Sequence, residues 1–529
     1  MRMPHNSRST NNYMGSNMEK ELVIVLDFGG QYNQLIARRV RDLNVYAEVI
    51  PYTTDLEELK AMNPKGIIFT GGPNSVYLES SPHYTEKILD IGVPVLGICY
   101  GAQLMSYMRG GTISHAPVSE YGHVEMTVSK TESKLFKDIP AKSICWMSHT
   151  DYISQVPDGF EVTAATADCP CAAMENAGEG LYAVQFHPEV THTEYGKTLL
   201  RNFLFEVCRC VGDWRMDSFI EDTVAKLREQ IGDKGVVLGL SGGVDSSVAA
   251  ALISRAVGRQ LTCVFVDQGL MRKDEGDFVE ETFTRLFDMN FIRRNVADQF
   301  YFALKGLTDP EDKRKAIGTE FYRVFWDIVR EKYKDGYFAQ GTIYPDYIES
   351  GNGHADTIKT HHNEVKKPDD IQFLGVIEPL RLLFKDEVRK VGEQLGLPHE
   401  LVWRQPFPGP GLGVRIIGEV NAERVAILQE ADAVLRDEVA KYGYDQEMAQ
   451  FFAVLPGVKT VGVMGDHRTY AELIAIRAVT TDDFMTADWA KIPYDLLGRI
   501  SNRIINEVDQ VNRVVYDITS KPPGTVEWE

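Results

Sequence analysis

The sequence predicts a multidomain α/β chain: two parallel-sheet α/β domains followed by a small α+β module. Three observations carry this. Short apolar runs alternate with helical patterns from Lys20 to Val211. A second pattern of the same kind opens on a strand, a glycine turn and a helix over Gly235–Val257. A segment rich in proline and glycine, Pro406–Gly413, then interrupts the alternation before a mixed run of helices and strands. The expected boundaries are 1–19, an extension; 20–211; 212–405; and 406–529.

Length and composition bound the reading. A chain of 529 residues has room for roughly three or four domains. A hydrophobic fraction of 44% with 25% charged residues is ordinary for a globular protein. The net charge of −20 argues against general binding to nucleic acid or to anionic membranes, while leaving room for a local basic pocket. No apolar run approaches the ~20 residues of a membrane-spanning helix. The opening MRMPHNSRSTNNYMGSN is polar, lacks the apolar core of a signal peptide, and reads as a disordered extension. Seven cysteines, an odd number with no secretory signal, suit a reducing cytoplasm. In Cys169-Pro170-Cys171 and Cys208-Arg209-Cys210 a single residue separates the thiols, fewer than structural zinc sites use, so both pairs read as ordinary thiols.

In the first domain, the runs at 21–28, 66–72 and 93–99 read as strands, and 34–43 as a helix with Leu35, Ile36 and Val40 on one face. Such βα alternation predicts a parallel sheet covered on both sides. The third run ends at Gly97-Ile98-Cys99-Tyr100-Gly101 and passes directly into a helical pattern. Small residues beside Cys99 permit the sharp strand-to-helix turn that lifts a nucleophile above the sheet, and a helix N-terminus favours the thiolate. A cysteine at a strand end is structural by default; His187 and Glu189 change that. They sit two apart in an extended LYAVQFHPEV stretch, with Pro188 biasing His187 away from helix. His187 can take the thiol proton while Glu189 orients the ring. The N–H groups of Tyr100 and of Gly72, in the Gly71-Gly72-Pro73 turn, are candidates for an oxyanion hole. GGP, GICYG and QFHPE in this order resemble the class I (triad) glutamine amidotransferases, with WMSHTDYI (146–153) and VTHTEYG (190–196) in agreement. The resemblance implies hydrolysis of glutamine to glutamate and ammonia through a thioester at Cys99. A peptidase or γ-glutamyl hydrolase could use the same chemistry but would not need the domain that follows.

The second domain opens on an amphipathic helix at 217–231 and then the loop Ser241-Gly242-Gly243-Val244-Asp245-Ser246-Ser247. Backbone N–H groups of such a turn and of the first helical turn converge on one point, a site for phosphate. The serine hydroxyls add donors and Asp245 can hold Mg²⁺. No lysine follows the glycines, so this is not a Walker loop. It resembles the loop of the ATP pyrophosphatases, which cleave ATP between its α- and β-phosphates. Asp267 and Gly269, after a strand at 260–269, and Gly341 and Thr342, after YFAQ, are candidates for the adenosine region, with ordinary turn chemistry as the alternative. Tyr344–Asn363 reads as a mobile lid loop carrying Asp346, Glu349, Lys359, Thr360, His361 and His362, with a solvated polar loop as the alternative.

The third module predicts a helix near 422–440, strands at 450–455, 458–464 and 471–479, a helix near 493–508 and a strand at 513–518. Pro406–Gly413 reads as a rigid, irregular segment. The module's sheet could leave an apolar face for a symmetric partner.

PDYIES, IKTHHN, IEPLRLLFKDEVRKVG, PFPGPGLGVR and the closing KPP-x-T-x-EWE together resemble the GMP synthetase family over nearly the whole chain from Lys20. One departure is the EVKKPDD after Asn363, where a glycine-rich continuation is expected. The resemblance implies xanthosine monophosphate (XMP), ATP with Mg²⁺, and glutamine as reactants, and a homodimer formed through the C-terminal module. It implies that Arg415 and Lys521 contact the XMP phosphate and that Glu527 accepts hydrogen bonds from the same ligand. An NAD or arginine-pathway synthetase would share the phosphate loop but not PFPGPGL or KPP-x-T-x-EWE, and a tRNA-thiolating relative would be more basic. A catalytically silent regulator would not be expected to keep Cys99, His187, Glu189 and SGGVDSS together.

Overall fold

A computed structural model describes residues 20–332, 336–351, 373–464, 467–481 and 486–529. The chain divides into two compact units, up to Phe219 and from Ile220 onward. No helix among the described residues is long and apolar enough to cross a membrane.

The first unit is built on one nine-stranded sheet in the order β2-β1-β3-β4-β9-β8-β7-β5-β6. Its strands are β1 (Leu22–Asp27), β2 (Tyr46–Pro51), β3 (Gly66–Phe69), β4 (Val95–Ile98), β5 (Thr112–Val128), β6 (Lys142–Gln155), β7 (Glu161–Ala165), β8 (Ala173–Asn176) and β9 (Leu181–Val184). Strands β2, β1, β3, β4 and β9 pair in parallel, as the βα alternation predicts. From β9 outward the pairing turns antiparallel, through β8 and β7 to the long β5–β6 hairpin. The uniformly parallel sheet expected from sequence is therefore only half of the observed one. Val23, Ile24 and Val25 of β1 and Ile67 and Ile68 of β3 have no exposed surface, as strands covered on both faces require.

The second unit contains a five-stranded, all-parallel sheet in the order β12-β11-β10-β13-β14. These strands are β10 (Val236–Gly239), β11 (Leu261–Asp267), β12 (Asn290–Asn295), β13 (Tyr337–Ala339) and β14 (Gly375–Ile377). A second sheet follows, with β15 (Gln450–Val454), β16 (Lys459–Met464), β17 (His467–Thr480), β18 (Asp488–Trp489) and β19 (Val511–Asp517) all gathered around β17. Helices Ala422–Tyr442 and Tyr494–Glu507 complete the expected α+β pattern. The first is capped by Asn421, whose side chain accepts the Arg424 N–H, and ends on Gly443 in the left-handed region. One buried core runs through both sheets, from Val237 and Val264 by way of Leu412 and Ile416 to Leu435, Ile476 and Ile500. Pro406–Pro410 is irregular, and Gly411–Val414 closes into a single 3₁₀ turn.

Candidate active sites

In the first unit β4 delivers Cys99 to the top of the sheet with φ 54° and ψ −109°, immediately before the helix Tyr100–Met108. This backbone costs a non-glycine residue about 1–3 kcal/mol and points the side chain away from the sheet. The flanking glycines are required sterically. A Cβ on Gly97 would lie 2.6 Å from Gly101 O, and one on Gly101 would lie 2.6 Å from Phe69 Cβ. The other six cysteines are buried, with Cys99 alone partly exposed. Burial pushes the thiols of Cys145, Cys169, Cys171 and Cys210 up to about 12, which keeps them protonated and inert.

His187 and Glu189 are both buried, and His187 Nδ1 lies 2.7 Å from Glu189 Oε1. β9 stops at Val184 and residues 188–190 form a turn, so this turn, rather than the expected extended register, brings the pair together. The ring backbone is pinned on both sides: His187 N–H donates to Trp146 O at 3.0 Å, and Thr193 Oγ1 donates to His187 O at 2.7 Å. Arg39 Nε donates to Glu189 O at 2.9 Å. Segments 146–153 and 190–196 thus act as the frame of the histidine. With Nδ1 facing Glu189, Nε2 is left for the thiol. Burial lowers the imidazole's proton affinity, but the charges of Glu189 and Cys99 and their hydrogen bonds outweigh it and raise its pKa well above 6.5.

Gly101 N–H donates to Thr70 O, and the Ala102 and Gln103 N–H groups donate to Cys99 O. Among the described residues, no backbone acceptor is taken by the N–H of Tyr100 or of Gly72. A Cβ on Gly72 would sit 2.7 Å from the Tyr100 ring, so glycine lets the two donors approach. Two buried glutamines that sequence reading did not single out complete the site. Gln185 Nε2 lies 3.8 Å from Cys99 Sγ, and Gln103 Nε2 donates to Gln185 Oε1 at 3.1 Å and to Asp151 O at 2.8 Å. Glu120, His149 and Cys169 also converge, but as a hydrogen-bonded group: Glu120 Oε2 faces His149 Nε2 at 3.1 Å and Glu120 Oε1 accepts the Thr166 hydroxyl.

In the second unit β10 leads through Ser241–Gly243 into the helix Val244–Val257. Gly242 has φ +75°, and Gly243 is the N-cap. Ser241 Oγ lies 3.0 Å from Ser246 Oγ, while the Ser246 and Ser247 hydroxyls donate back to Gly243 O at 3.1 and 2.7 Å. The cation missing from the loop arrives from elsewhere: Lys385 Nζ, at the start of helix Lys385–Gln394, lies 2.5 Å from Asp245 Oδ2. Asp245 Oδ1 is buried with no hydrogen-bond partner among the described residues. Gly341 packs on the first helical turn, since its Cβ would meet Asp245 C and Ser246 N at 3.0 Å. Thr342 Oγ1 donates to Glu378 Oε1 at 2.7 Å. Asp267 Oδ2 is held by Arg293 at 2.7 and 3.1 Å, and Asp267 Oδ1 accepts the Gly269 N–H at 3.2 Å.

Tyr344–Gly351 is a helix rather than the expected loop. Asp346 Oδ2 accepts the Ile343 N–H at 3.2 Å, reaching back from the third helical position in the manner of a capping box. The side chain of Glu349, residues Lys359, Thr360, His361 and His362, and the departure after Asn363 lie outside the described residues.

The closing segment is held by four basic side chains. Arg415 has no exposed surface and grips Glu527 bidentately, Nε to Oε2 at 3.0 Å and Nη2 to Oε1 at 2.8 Å; its buried Nη1 has no hydrogen-bond partner among the described residues. Arg477 donates to Thr519 O at 2.5 Å and Thr525 O at 2.9 Å. Lys313 pairs with Glu529, whose carbonyl accepts from Arg314 at 2.6 Å. Lys521 makes a backbone bridge with Ala487. These anchors explain why a polar tail with two prolines is ordered.

Comparison with known proteins agrees with this geometry. Residues 24–207 match the family model for glutamine amidotransferase class-I, residues 215–308 that for NAD synthase, and residues 437–528 that for the GMP synthase C terminal domain. The glutamine-hydrolyzing GMP synthase of Clostridium botulinum (strain Hall) is 59% identical over 512 residues, spanning 97% of this chain and 100% of that protein. The chain belongs to the glutamine-hydrolyzing GMP synthase family. The protein of that name from the Alaska E43 strain is 59% identical over 514 residues, and that of Ruminiclostridium cellulolyticum 58% identical over 512; each covers 97% of this chain and is itself covered completely. The family and the α/β fold class expected from the motifs are the ones found.

Proposed function

We propose how this chain performs glutamine-dependent synthesis of GMP, the activity that membership of the family carries. The observation that supports the reading best is the pairing, in one chain, of a strained cysteine beside a His–Glu pair with a glycine-serine loop that opens a helix.

At Cys99 the thiolate attacks the side-chain amide carbon of glutamine. Tyr100 and Gly72 N–H receive the oxyanion, His187 hands its proton to the departing ammonia, and Glu189 steadies the imidazolium. Water then hydrolyses the thioester to glutamate, with His187 taking a proton from it. In the other unit the C2 oxygen of XMP attacks the α-phosphorus of ATP and pyrophosphate leaves onto Ser241–Ser247. Ammonia attacks C2, and AMP departs with the oxygen. Adenylation is needed because a purine carbonyl oxygen leaves poorly and AMP leaves well. The loop's contribution is to position and neutralise charge. Asp267, Gly269, Gly341 and Thr342 line the adenosine side of this reading, Asp346 belongs to its lid, and the division at 405/406 separates ATP activation from XMP recognition.

The donor set fits Mg²⁺. The orphaned Asp245 Oδ1 beside the phosphate loop is the hard oxygen ligand such an ion takes. When bound, the ion would neutralise charge on the β- and γ-phosphates. Arg415, with its spare Nη1, and Lys521 receive the XMP phosphate, and Glu527 holds Arg415 in place while accepting from the ligand. Val461 and Tyr470, cross-strand neighbours, and Val463 are exposed on the C-terminal sheet and form the homodimer face. A nucleophilic thiol and seven free cysteines suit the cytoplasm.

The test supplies ATP, Mg²⁺ and ammonium with XMP or with rival carbonyl acceptors and measures AMP and pyrophosphate. XMP should give both; turnover with another acceptor and none with XMP would sink the assignment.

A further inference from the structure

The Gly242 carbonyl and the Gly243 N–H belong to one planar trans peptide and point in opposite directions. Both residues flanking that peptide are glycines, so neither side chain bars either orientation of it. If the N–H faces the phosphates, the loop offers them a donor; if the plane turns over, it offers a repelling carbonyl oxygen. Something must choose.

We propose that Arg404 makes the choice, as a positioning residue that holds the Gly242–Gly243 peptide in its phosphate-binding orientation. The inference rests on reading Ser241–Ser247 as the ATP phosphate loop. Arg404 Nη1 donates to Gly242 O, and Nη2 pairs with Glu275 Oε1. At the opposite edge of the peptide the Gly243 N–H donates to Ser241 Oγ at 3.2 Å, within the loop. Glu275 is fixed as well: its Oε2 accepts the Arg272 N–H at 3.1 Å. Burial raises the Glu275 pKa, yet the charges of Arg404 and Arg272 hold it below the ordinary carboxylate range, so the pair is ionised. The Arg404 side chain is 11% exposed with one fork nitrogen on each partner, which makes it a strut behind the loop rather than a phosphate ligand.

The strut is tied to the acceptor side of the site. The next residue, Gln405, accepts the Phe451 N–H at 3.0 Å and donates to Met448 O at 3.3 Å, and the chain runs on through Pro406–Gly413 to Arg415. The orientation of the ATP loop is thereby referenced to the segment that carries Arg415.

The experiment uses the full chain with ammonium as nitrogen source. It measures KM for ATP, KM for XMP, kcat and inhibition by inorganic pyrophosphate for Arg404→Ala, Arg404→Lys, Glu275→Gln and Asp245→Ala. Arg404→Ala should raise the ATP KM and weaken pyrophosphate inhibition by roughly tenfold to a hundredfold, the range for losing a charged hydrogen bond. The KM for XMP should move much less. Arg404→Lys should recover part of the loss, since an ammonium can reach Gly242 O but lacks the second fork arm. Glu275→Gln should shift the same constants in the same direction, less far. Unchanged ATP and pyrophosphate constants in Arg404→Ala, or equal loss across every constant in Arg404→Lys, would overturn the proposal. If Arg404→Ala does not fold, Arg404→Lys decides. If Asp245→Ala also leaves both constants untouched, the phosphate-loop reading itself fails; if Asp245→Ala raises them and Arg404→Ala does not, only the role of Arg404 fails.

Discussion

The neighbours of His187 raise its pKa against the effect of its own burial. Replacing Glu189 by glutamine keeps the shape and removes the charge, leaving Cys99 alone to oppose burial, so the imidazole pKa should fall. We expect ring-nitrogen NMR titration to report a lower imidazole pKa in Glu189→Gln than in the parent protein, with glutaminase activity reduced by roughly 10²–10⁴-fold. A pH signature in stability follows. A group whose folded pKa is raised contributes stability fully below its unfolded value, about 6.5, and loses it as pH climbs through the raised value. The stability gap between parent and variant should therefore be widest below about pH 6 in urea titrations and close in alkali. A gap that widens in alkali would contradict the assignment. Cys99, His187 and Glu189 were legible in sequence because the elbow and the His-Pro-Glu stretch each carry local geometry. Gln185, Lys385 and Arg404 were not, because each meets its partner only through folding: Lys385 lies 140 positions from Asp245 and Arg404 162 from Gly242.

At the scale of elements, the β4–Cys99–helix turn has little tolerance. A methyl group on Gly97 would strike a backbone oxygen, which cannot swing aside. Gly97→Ala should cost about 1–3 kcal/mol in the first unit and remove glutaminase activity, while GMP synthesis from ammonium survives. Thermal unfolding with both assays checks this; a normal glutaminase rate would show that the turn has slack. Of the parallel strands, β1, β3, β4, β10 and β11 were readable as apolar runs, whereas β12, with Arg293 and Arg294, was not. The β5–β6 hairpin was not, although β6 alternates strictly between buried and outward positions. Its inward set includes Ser143, His149 and Asp151, so polar residues filled places that a hydrophobic pattern needs. The helix Tyr344–Gly351 was hidden by Pro345 and Gly351, yet proline is tolerated in a first helical turn and Asp346 satisfies the start.

For the whole molecule, the two expected domains after residue 211 share one core, which composition and spacing cannot reveal, because Leu412 and Ile416 look like loop residues until they pack beside Ile317 and Leu428. The exposed strip at Val461, Val463 and Tyr470 belongs to this scale too. If this strip forms the proposed homodimer face, the parent protein should sediment as a dimer and Val463→Asp as a monomer; an unchanged dimer would place the interface elsewhere. The central claim is that one chain runs two chemistries with separate residues, and Cys99→Ala tests it most directly when GMP formation is measured with glutamine and then with ammonium. Cys99→Ala should give no product from glutamine and a rate close to that of the parent from ammonium. Loss of both rates in a folded Cys99→Ala protein, or retention of both, would contradict it.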